Sequence, residues 1–365
     1  MTRVLVAMSG GVDSSVAAAR LVAAGYDVIG VTLHLWDYPD DGSVLGRCCA
    51  PEDVHDAGRV AAQLGIPHYS FDRRKLFQSA IIEPFVDAYL VGDTPSPCVQ
   101  CNRQIKIREL LALADRLGAA TVATGHYAQI LTRDGRLELH RGLDRTKDQS
   151  YFLHAYLDDA LTRLAFPLGA VTKSEIRAEA ASLGLFGADK GESQELCFVP
   201  TGRYDTFVAE RAGDRIRPGR IIDEKGRDLG SHPGIHQFTL GQRRNLGVAA
   251  GRRVYVTRID AATGTVEVGE RDALLCDFAE VDDCVLAADL ELPVEVSCAV
   301  RYRGEATRAR IEPHAGGLAV HFEQPVVAVV PGQYAVFYLG ERVVGGGRIR
   351  SSRAPSGRVV NAIAD

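Results

Sequence analysis

The chain has 365 residues, of which 46% are hydrophobic and 24% are charged, as in ordinary globular proteins. That length exceeds what one hydrophobic core usually supports, so two or three domains are expected. The net charge of −5 argues against a protein that coats nucleic acid, but it leaves room for a local basic face. No apolar run approaches the roughly 18 residues of a membrane helix, so we expect no membrane partner. The first residues enter a predicted strand, so we expect no signal peptide and a cytoplasmic location.

Strand and helix patterns alternate through the first 200 residues. The strand-like RVLVAM at residues 3–8 precedes the Ala-rich SSVAAARLVAAG at 14–25, and DVIGVTLHL at 27–35 predicts the next strand. The same order continues with PEDVHDAGRVAAQLG (helix), PHYSFD (strand), KIRELLALADRLG (helix) and AATVATGHY (strand). This alternation predicts a doubly wound parallel sheet with helices on both faces. A further helix in VTKSEIRAEAASLG should begin with a capping box of Thr172 and Glu175.

Beyond residue 200 the helical periodicity fades, and short alternating runs follow one another. RVYVTRIDAATGTVEVG predicts a β-hairpin, and the runs VEVSCAVRYRG, TRARIEP, GLAVHFE, YAVFYLG and RVVGGGRI predict strands of an antiparallel barrel or sandwich. We therefore predict an α/β chain of three domains. These are a parallel-sheet catalytic domain at 1–205, a small central domain at 206–272 and a C-terminal antiparallel β-barrel domain at 273–365.

The stretch SGGVDSS at residues 9–15 joins the first strand to the first helix. Gly10 and Gly11 allow a ligand to approach bare backbone. Their N–H groups, with those of Ser14 and Ser15, would converge at the positive end of the helix dipole and form an anion site. A Walker loop would need a lysine next. Because none follows, the loop suits a pyrophosphate leaving group better than a transferred γ-phosphoryl group.

With its flanking strand and helix, SGGVDSS resembles the PP-loop of the ATP pyrophosphatases, which adenylate a substrate oxygen and release pyrophosphate. Other stretches narrow the resemblance: GDTPSPCVQCNRQIKIREL, TGHYA, RGLDRTKDQSYFL, GESQELCFVP, TLGQRRNLG and PGQYAVFY. In order and spacing, over nearly the whole chain, they are similar to the tRNA-specific 2-thiouridylase family. The resemblance implies a PP-loop ATPase domain that uses ATP, with Mg²⁺ near Asp13, to adenylate O2 of the wobble uridine at tRNA position 34.

The resemblance also implies which residues carry each step. Cys101 aligns with the first catalytic cysteine of the family and Cys197 with the cysteine that bears a persulfide. The ATP site maps to Ala7, Met8, Ser9, Gly10, Gly11, Val12, Asp13, Ser14, Leu33 and Gly125. The target base maps to Ser96, Pro97 and Cys98, and further tRNA contacts map to His126, Lys147, Asp148, Gln149, Arg301, Tyr302 and Gln333.

The chemistry independently requires two cysteines. Replacing a carbonyl oxygen by sulfur needs a leaving group, which adenylation supplies, and a sulfur nucleophile, which a protein persulfide can carry. A second thiol must then cleave the S–S bond, so two cysteines must meet transiently as a disulfide. The candidates are one cysteine of CVQC and Cys197. The implied partners are tRNAs for Lys, Glu and Gln, and a cysteine desulfurase or a sulfur-relay protein as the persulfide sulfur donor.

Other cysteine roles stay open. CVQC with Cys48 and Cys49 could bind zinc, although adjacent cysteines make poor tetrahedral pairs. An iron–sulfur cluster held by Cys98, Cys101 and Cys197 is chemically possible and is not favoured. Some family members carry Asp at the position of Cys98. The remaining cysteines are interpreted as small buried hydrophobic side chains, namely Cys276, Cys284 and Cys298.

Residues 301–310 hold four arginines and one glutamate. A basic strand edge in an acidic chain is what phosphate-directed binding requires, and a solvated strand face is the alternative. Two other functions compete with tRNA thiolation. One is a PP-loop enzyme that adenylates a small molecule, which would need neither Cys101 nor Cys197. The other is a non-catalytic RNA-binding protein with a vestigial nucleotide fold.

Overall fold

The computed structural model describes residues 1–37, 51–157, 159–188, 196–199, 202–357 and 359–362. Cys48 and Cys49, and most of GESQELCFVP, lie outside these residues. The chain divides into two compact units. The first comprises Met1–Ile82, Pro97–Gly202 and Glu341–Val343, and the second comprises Glu83–Ser96, Arg203–Gly340 and Val344–Asp365. The three-domain boundaries at residues 205 and 272 stay a prediction.

The described helices and strands are numbered in chain order. The helices are α1 (Val12–Ala23), α2 (Pro51–Leu64), α3 (Arg74–Phe77), α4 (Glu83–Leu90), α5 (Pro97–Cys101), α6 (Ile107–Leu117), α7 (Lys173–Ser182) and α8 (Tyr204–Ala212). The first-unit strands are β1 (Arg3–Ala7), β2 (Asp27–His34), β3 (His68–Asp72), β4 (Thr121–Ala123), β5 (Ala128–Arg133), β6 (Arg136–Arg141) and β7 (Leu164–Ala165). The later strands are β8 (Gly219–Asp223), β9 (Asp228–His232), β10 (Tyr255–Asp260), β11 (Thr265–Gly269), β12 (Leu275–Leu286), β13 (Val294–Ala299), β14 (Thr307–His314), β15 (Gly317–Val327), β16 (Tyr334–Leu339), β17 (Arg342–Arg353) and β18 (Val359–Ala362).

The first unit is built on a parallel sheet, as predicted. Its strand order is β3-β2-β1-β4-β7, and each neighbouring pair is parallel. The order reverses between β1 and β4, and crevices for ligands form at such a switch point, beyond the carboxyl ends of the strands. Because SGGVDSS directly follows β1, the fold places the PP-loop at this crevice.

The predicted capping box at the start of α7 is confirmed. The Thr172 hydroxyl accepts the N–H of Glu175 at 3.3 Å, and the Glu175 carboxylate accepts the N–H of Thr172 at 2.7 Å. The antiparallel hairpin β5–β6 was missed. Its Asp134–Gly135 turn has positive φ at both residues, 50° and 78°, which is the geometry that Asp-Gly hairpins adopt.

The second unit contains two antiparallel-rich β structures. The order of its smaller sheet is β10-β11-β8-β9, and β10–β11 is the predicted hairpin. The larger one runs β12-β15-β14-β13-β16-β17, and β17 also pairs with β12, so the barrel closes on itself. This confirms the α/β class with a C-terminal antiparallel barrel.

The barrel interior explains the isolated cysteines. Cys276 and Cys298 are buried in the barrel core, and Cys284 is partly buried against it. Burial raises the pKa of Cys298 and raises that of Cys284 to about 12, which favours the inert thiol form. Their interpretation as small hydrophobic side chains is confirmed. No helix within the described ranges is long and apolar enough to cross a membrane.

Candidate active site

The PP-loop is closed by its own serine side chains. Gly11 is the N-cap of α1, and its carbonyl accepts the hydroxyls of Ser14 and Ser15 at 3.0 Å and the N–H of Ser15 at 3.2 Å. The N–H of Ser9 donates to the Ser14 hydroxyl at 3.1 Å. Because the Ser15 N–H is already used, the expectation that it belongs to the anion site was wrong. The N–H groups of the first helical turn, which precede Ser15, have no partner within the helix, as at every helix start.

Two glycines permit the close packing of this loop. Gly10 has φ of +71°, and a Cβ there would lie 2.4 Å from the carbonyl oxygen of Asp53. A Cβ at Gly125 would lie 3.0 Å from the backbone of Asp13 and Ser14. An added methyl at either position would force the neighbouring backbone to shift, so the packing of the loop itself favours glycine at both positions.

Asp13 is the centre of a charged cluster at the start of α1. Its Oδ1 accepts the Lys173 ammonium at 2.6 Å and the Tyr127 hydroxyl at 2.7 Å. Lys173 is the first residue of α7, and its side chain is only 11% exposed. The lysine that is missing from the loop sequence is therefore supplied by a helix 160 positions later.

A cavity of about 230 Å³ opens beside the loop. Its wall combines an apolar side, formed by β2 and α6, with a polar side that carries Ser9, Asp13 and Lys106. Apolar walls with a few convergent polar groups are typical of nucleotide and cofactor sites. The lining residues are Ala7, Met8, Ser9, Asp13, Ser14, Val31, Thr32, Leu33, Leu35, Lys106, Ile107, Leu110, Thr124, Gly125, His126 and Gln149.

Most of the predicted ATP residues meet at this cavity, since Ala7, Met8, Ser9, Asp13, Ser14, Leu33 and Gly125 all line it. Gly10, Gly11 and Val12 lie in the supporting loop instead, and Val12 is buried. Lys106, Lys173 and Tyr127 were missed. Lys106 and Tyr127 stand inside the quoted motif stretches, so they could have been proposed, whereas the contact of Lys173 with Asp13 has no local sequence signal.

The cysteine helix α5 continues through a π turn, Asn102–Lys106, into α6. The N–H of Ile107 donates to the carbonyl of Asn102, which is the i→i+5 bond of a π turn. The Tyr156 hydroxyl lies 2.9 Å from the same carbonyl and 2.8 Å from that of Arg103. Such turns often occur at functional sites because they redirect the side chains that follow.

The three site cysteines are free thiols in this structure. Cys101 is buried, and burial raises its pKa to about 11, although the positive charge of Lys106 acts in the opposite direction. Burial also raises the pKa of Cys98. Cys197 is half-buried, and the next residue, Phe198, is buried with its ring edge-on to Phe77 at 5.7 Å. The transient Cys101–Cys197 disulfide stays a prediction.

His126 and Gln149, predicted tRNA contacts, line the same cavity. The Nδ1 of His126 lies 2.7 Å from the Thr124 hydroxyl, and burial lowers its pKa to about 3, so the ring is neutral at physiological pH. Gln149 bridges the backbone of Tyr127 through its N–H at 2.9 Å and its Oε1 at 3.1 Å.

The neighbouring Asp148 is a structural anchor. Its carboxylate accepts the N–H groups of Gly142 and Ser150 at 3.0 Å and pairs with Arg141 at 3.3 Å. Its side chain is therefore committed to the loop, and the turn that carries Lys147 is held in place by it. Direct contact of this carboxylate with RNA would also be electrostatically unfavourable.

In the second unit, Gln333 supports the loop that contains Ser96. Its Nε2 donates to the carbonyl of Thr94 at 2.8 Å and lies 3.3 Å from that of Pro95. Arg301 is exposed and Tyr302 is half-buried in the turn between β13 and β14. All four arginines of the basic stretch 301–310 are exposed, as a phosphate-binding surface requires.

Three family models match the chain. They describe a tRNA methyl transferase HUP domain at residues 2–201, a tRNA methyl transferase PRC-barrel domain at 205–270 and an aminomethyltransferase beta-barrel domain at 279–349. Among solved structures, a 4-thiouridine synthetase–RNA complex with bound ATP is similar with a TM-score of 0.38 and 20% identity. That match covers 59% of this chain and 51% of the other, a similarity too low to inform the site.

Curated relatives match nearly the whole chain. The tRNA-specific 2-thiouridylase MnmA of Sorangium cellulosum is 59% identical over 356 residues, 96% of this chain and 92% of that protein. The protein of the same name from Roseiflexus sp. is 45% identical over 370 residues, 96% of this chain and 99% of its own. At this identity and coverage, the chain belongs to the tRNA-specific 2-thiouridylase family.

Proposed function

We propose that this chain is an ATP-dependent tRNA-uridine 2-sulfurtransferase that thiolates the wobble uridine. The observation that carries the proposal is the cluster of Asp13, Lys173 and Tyr127 at the polar end of a cavity with an apolar wall. A nucleotide would place its base against the apolar wall, at Leu33, and its phosphates at the loop. Attack of uridine O2 on the α-phosphate then forms an adenylate and releases pyrophosphate.

Mg²⁺ fits this site. Asp13 Oδ1 is occupied by Lys173 and Tyr127, whereas Oδ2 accepts no hydrogen bond from the described residues and the side chain is 34% exposed. Mg²⁺ commonly binds one or two carboxylates together with substrate phosphates. Asp13 would hold the ion with the nucleotide, and the ion would supply charge neutralisation. The ammonium of Lys173 adds a protein cation at the same place, which compensates for the lysine-free loop.

Sulfur transfer uses the two candidate cysteines. The terminal sulfur of a Cys197 persulfide attacks C2 of the adenylated uridine and expels AMP, leaving a Cys197–S–S–C2 adduct. The Cys101 thiolate then attacks Sγ of Cys197, so that the S–S bond to the nucleobase breaks and 2-thiouridine leaves. The product is a Cys101–Cys197 disulfide, which an external dithiol must reduce, and a cysteine desulfurase or relay protein must restore the persulfide.

Recognition of tRNA falls to surfaces in both units. The loop Ser96–Cys98 is assigned to the target base, which must be turned out of its stack for chemistry at C2. Arg301 and Tyr302 are assigned to the tRNA backbone, because arginine on an exposed turn can pair with phosphate and an adjacent ring can stack. Action on tRNAs for Lys, Glu and Gln, and a cytoplasmic location, are part of the same proposal.

The test is direct. The purified chain is incubated with ATP, Mg²⁺, a persulfide donor and unmodified bulk tRNA, and the nucleosides are analysed for 2-thiouridine. Asp13→Ala, which removes the ligand of Mg²⁺ and the partner of Lys173, should abolish tRNA-dependent pyrophosphate release and thiolation together. A PP-loop ligase would release pyrophosphate only after its small-molecule acceptor is added, and a vestigial fold would release none. Absence of tRNA-dependent pyrophosphate release and of 2-thiouridine would overturn the proposal.

A further inference from the structure

Lys106 joins the nucleotide cavity to the cysteine helix. It is the last residue of the π turn that continues α5, and its side chain lines the cavity together with Ser9 and Asp13. Among the described residues that line the cavity, it is the one lysine or arginine, and the remaining basic side chain, His126, is neutral. A phosphate in the cavity therefore has Lys106 as its cationic neighbour in the wall.

The π turn sets the direction of Lys106. In a regular α-helix, a residue five positions after Cys101 would be rotated by roughly 140° from it. The i→i+5 bond between Asn102 and Ile107 accommodates one extra residue in the turn, which reduces that rotation to roughly 40°. Cys101 and Lys106 therefore share one face of the helix. Tyr156 stabilises this geometry by its contact with the carbonyls of Asn102 and Arg103.

The surroundings of Cys101 offer few other charges. The segments packed against α5 are Gln78–Ile82, the π turn and Ser150–Leu153, and their titratable side chains are Tyr151, Arg103 and Lys106. Cys98, on the same helix, and His126, across the cavity, complete the set. The charge of Lys106 reaches all three of Cys98, Cys101 and His126: it lowers the pKa of each, but burial keeps both thiols protonated.

We propose that Lys106 is a shared counter-ion, which pairs with the nucleotide phosphate while ATP or the adenylate occupies the cavity and with the Cys101 thiolate once AMP has left. Lys106 would then fix the order of the two chemical steps. While the phosphate holds the ammonium, Cys101 stays a thiol. When AMP leaves, the phosphate no longer holds the ammonium, so Lys106 again lowers the pKa of Cys101 and increases the fraction of thiolate that can cleave the Cys197 adduct.

The order matters because an early thiolate would waste sulfur. Attack of the Cys101 thiolate on Sγ of a Cys197 persulfide forms the Cys101–Cys197 disulfide and releases hydrosulfide, with no tRNA modified. Because the bound nucleotide holds the ammonium of Lys106, Cys101 stays a thiol and this side reaction is suppressed until AMP has left. The inference rests on the proposed function for its purpose, whereas the electrostatic coupling itself needs only ATP binding and a reactive Cys101.

The coupling can be measured without tRNA. Alkylation of Cys101 by iodoacetamide is followed by peptide mass spectrometry over a pH series, with and without α,β-methylene ATP, in wild type, Lys106→Met and Lys106→Arg. The exposed Arg108→Met, on the same helix and outside the cavity lining, is the matched control. In wild type and Arg108→Met, the nucleotide should raise the alkylation midpoint by about one pH unit, because an opposite charge at close range shifts a pKa by about one to three units.

The variants separate charge pairing from shielding. In Lys106→Met, the midpoint should already be high without nucleotide and should not rise further, whereas Lys106→Arg should retain the rise. A nucleotide that lowers only the high-pH plateau would show steric shielding, and a rise that persists in Lys106→Met would exclude Lys106. Either outcome overturns the inference. If Lys106→Met fails to fold, Lys106→Gln, which also removes the charge, takes its place in the same comparison.

Thiolation of tRNA is assayed on the same preparations. If wild type thiolates tRNA but the nucleotide does not shift the pH midpoint of Cys101 alkylation, this inference alone is wrong. If the shift occurs and requires Lys106 but no 2-thiouridine forms, the proposed function is wrong and the counter-ion role of Lys106 stands.

Discussion

The ammonium of Lys173 lies 2.6 Å from Oδ1 of Asp13, and 160 positions separate the two residues in the sequence. The helices that carry them, α1 and α7, pack against each other, and a second ion pair, Arg20–Glu179, joins them one to two turns further along. Two pairs in the same order along both helices mean that the helices run parallel. Both helix N-termini therefore meet at the PP-loop, where their dipoles favour an anion.

Replacing Lys173 should impair adenylation specifically. Lys173→Met removes a charged hydrogen-bond donor worth about 1.5–3 kcal/mol, so kcat/KM for tRNA-dependent pyrophosphate release should fall about 10- to 100-fold. The exposed Lys75→Met is the matched control and should retain wild-type rates. Measurement of pyrophosphate release and of the thermal midpoint on the same samples separates chemistry from folding. Normal pyrophosphate release by Lys173→Met would show that Lys173 does not contribute to adenylation.

The half-buried Asp93 predicts that the stability of the fold depends on pH. Burial raises its pKa from 3.8 to about 6, against the opposing charge of Arg348. Between these values the folded chain binds a proton that the unfolded chain has lost, so stability falls as pH rises through this window and stays lower above it. Asp93→Asn should therefore raise the free energy of unfolding at pH 7, by about 1–2 kcal/mol after allowance for solvent screening.

Urea titrations at pH 4 and pH 7 measure this effect. The difference between Asp93→Asn and wild type should be larger at pH 7 than at pH 4, where the native carboxyl is already protonated. The exposed Asp272→Asn serves as control and should show no such difference. A variant less stable than wild type at pH 7 would mean that the fold stabilises the carboxylate of Asp93, which contradicts a raised pKa.

Local sequence patterns predicted the elements that local interactions define. The capping box at Thr172 and the hairpin β10–β11 follow from residues a few positions apart, and both are confirmed. The β5–β6 hairpin carries an equally local signal, an Asp-Gly turn between alternating runs, and could have been found. The parallel sheet was predicted from the alternation of strand and helix patterns along the chain. Its strands could be recognised because buried parallel strands are apolar throughout.

The parts that escaped prediction depend on long-range packing. The pairing of Lys173 with Asp13 exists only because α1 and α7 pack side by side. The π turn before Ile107 interrupts a helix whose sequence shows ordinary helical periodicity, so no residue marks it in advance. The Ser15 N–H was assigned to the anion site because the helix start was placed two residues too late.

The basic turn of the barrel should contribute to tRNA affinity. Arg301→Ala removes an exposed cation from a turn next to Tyr302, so tRNA binding should weaken and the slope of log K against log salt should fall by about one phosphate contact. Arg220→Ala, an exposed arginine paired with Asp228 in the other sheet of the second unit, is the control. Equal slopes for wild type and Arg301→Ala across a salt series would show that Arg301 does not contact a tRNA phosphate.

The two catalytic cysteines should fail at different steps. Cys197→Ala should lose the protein persulfide and all thiolation, because the sulfur carrier is gone. Cys101→Ala should retain tRNA-dependent pyrophosphate release and lose turnover, because the adduct is no longer cleaved. Mass spectrometry of wild type after a single turnover should find a Cys101–Cys197 disulfide. Pairing of Cys98 or Cys49 instead would contradict the assignment, and the free thiols of the resting structure are the starting state for the measurement.

Cys98 separates the two-cysteine mechanism from a cluster mechanism. In the former, Cys98 is a polar neighbour of the target base, and because burial raises its pKa it can donate a proton at neutral pH more readily than accept one. Cys98→Ala should lower thiolation by at most about 100-fold without loss of the Cys197 persulfide, and Cys98→Asp should keep substantial activity.

The described residues contain no group of three or more metal-ligating side chains placed to hold an ion. Iron content and thiolation should be measured together on anaerobically purified wild type and Cys98→Ala. Iron that is bound in wild type and lost with activity in the variant would show that Cys98 is a cluster ligand, and the disulfide mechanism would then be wrong.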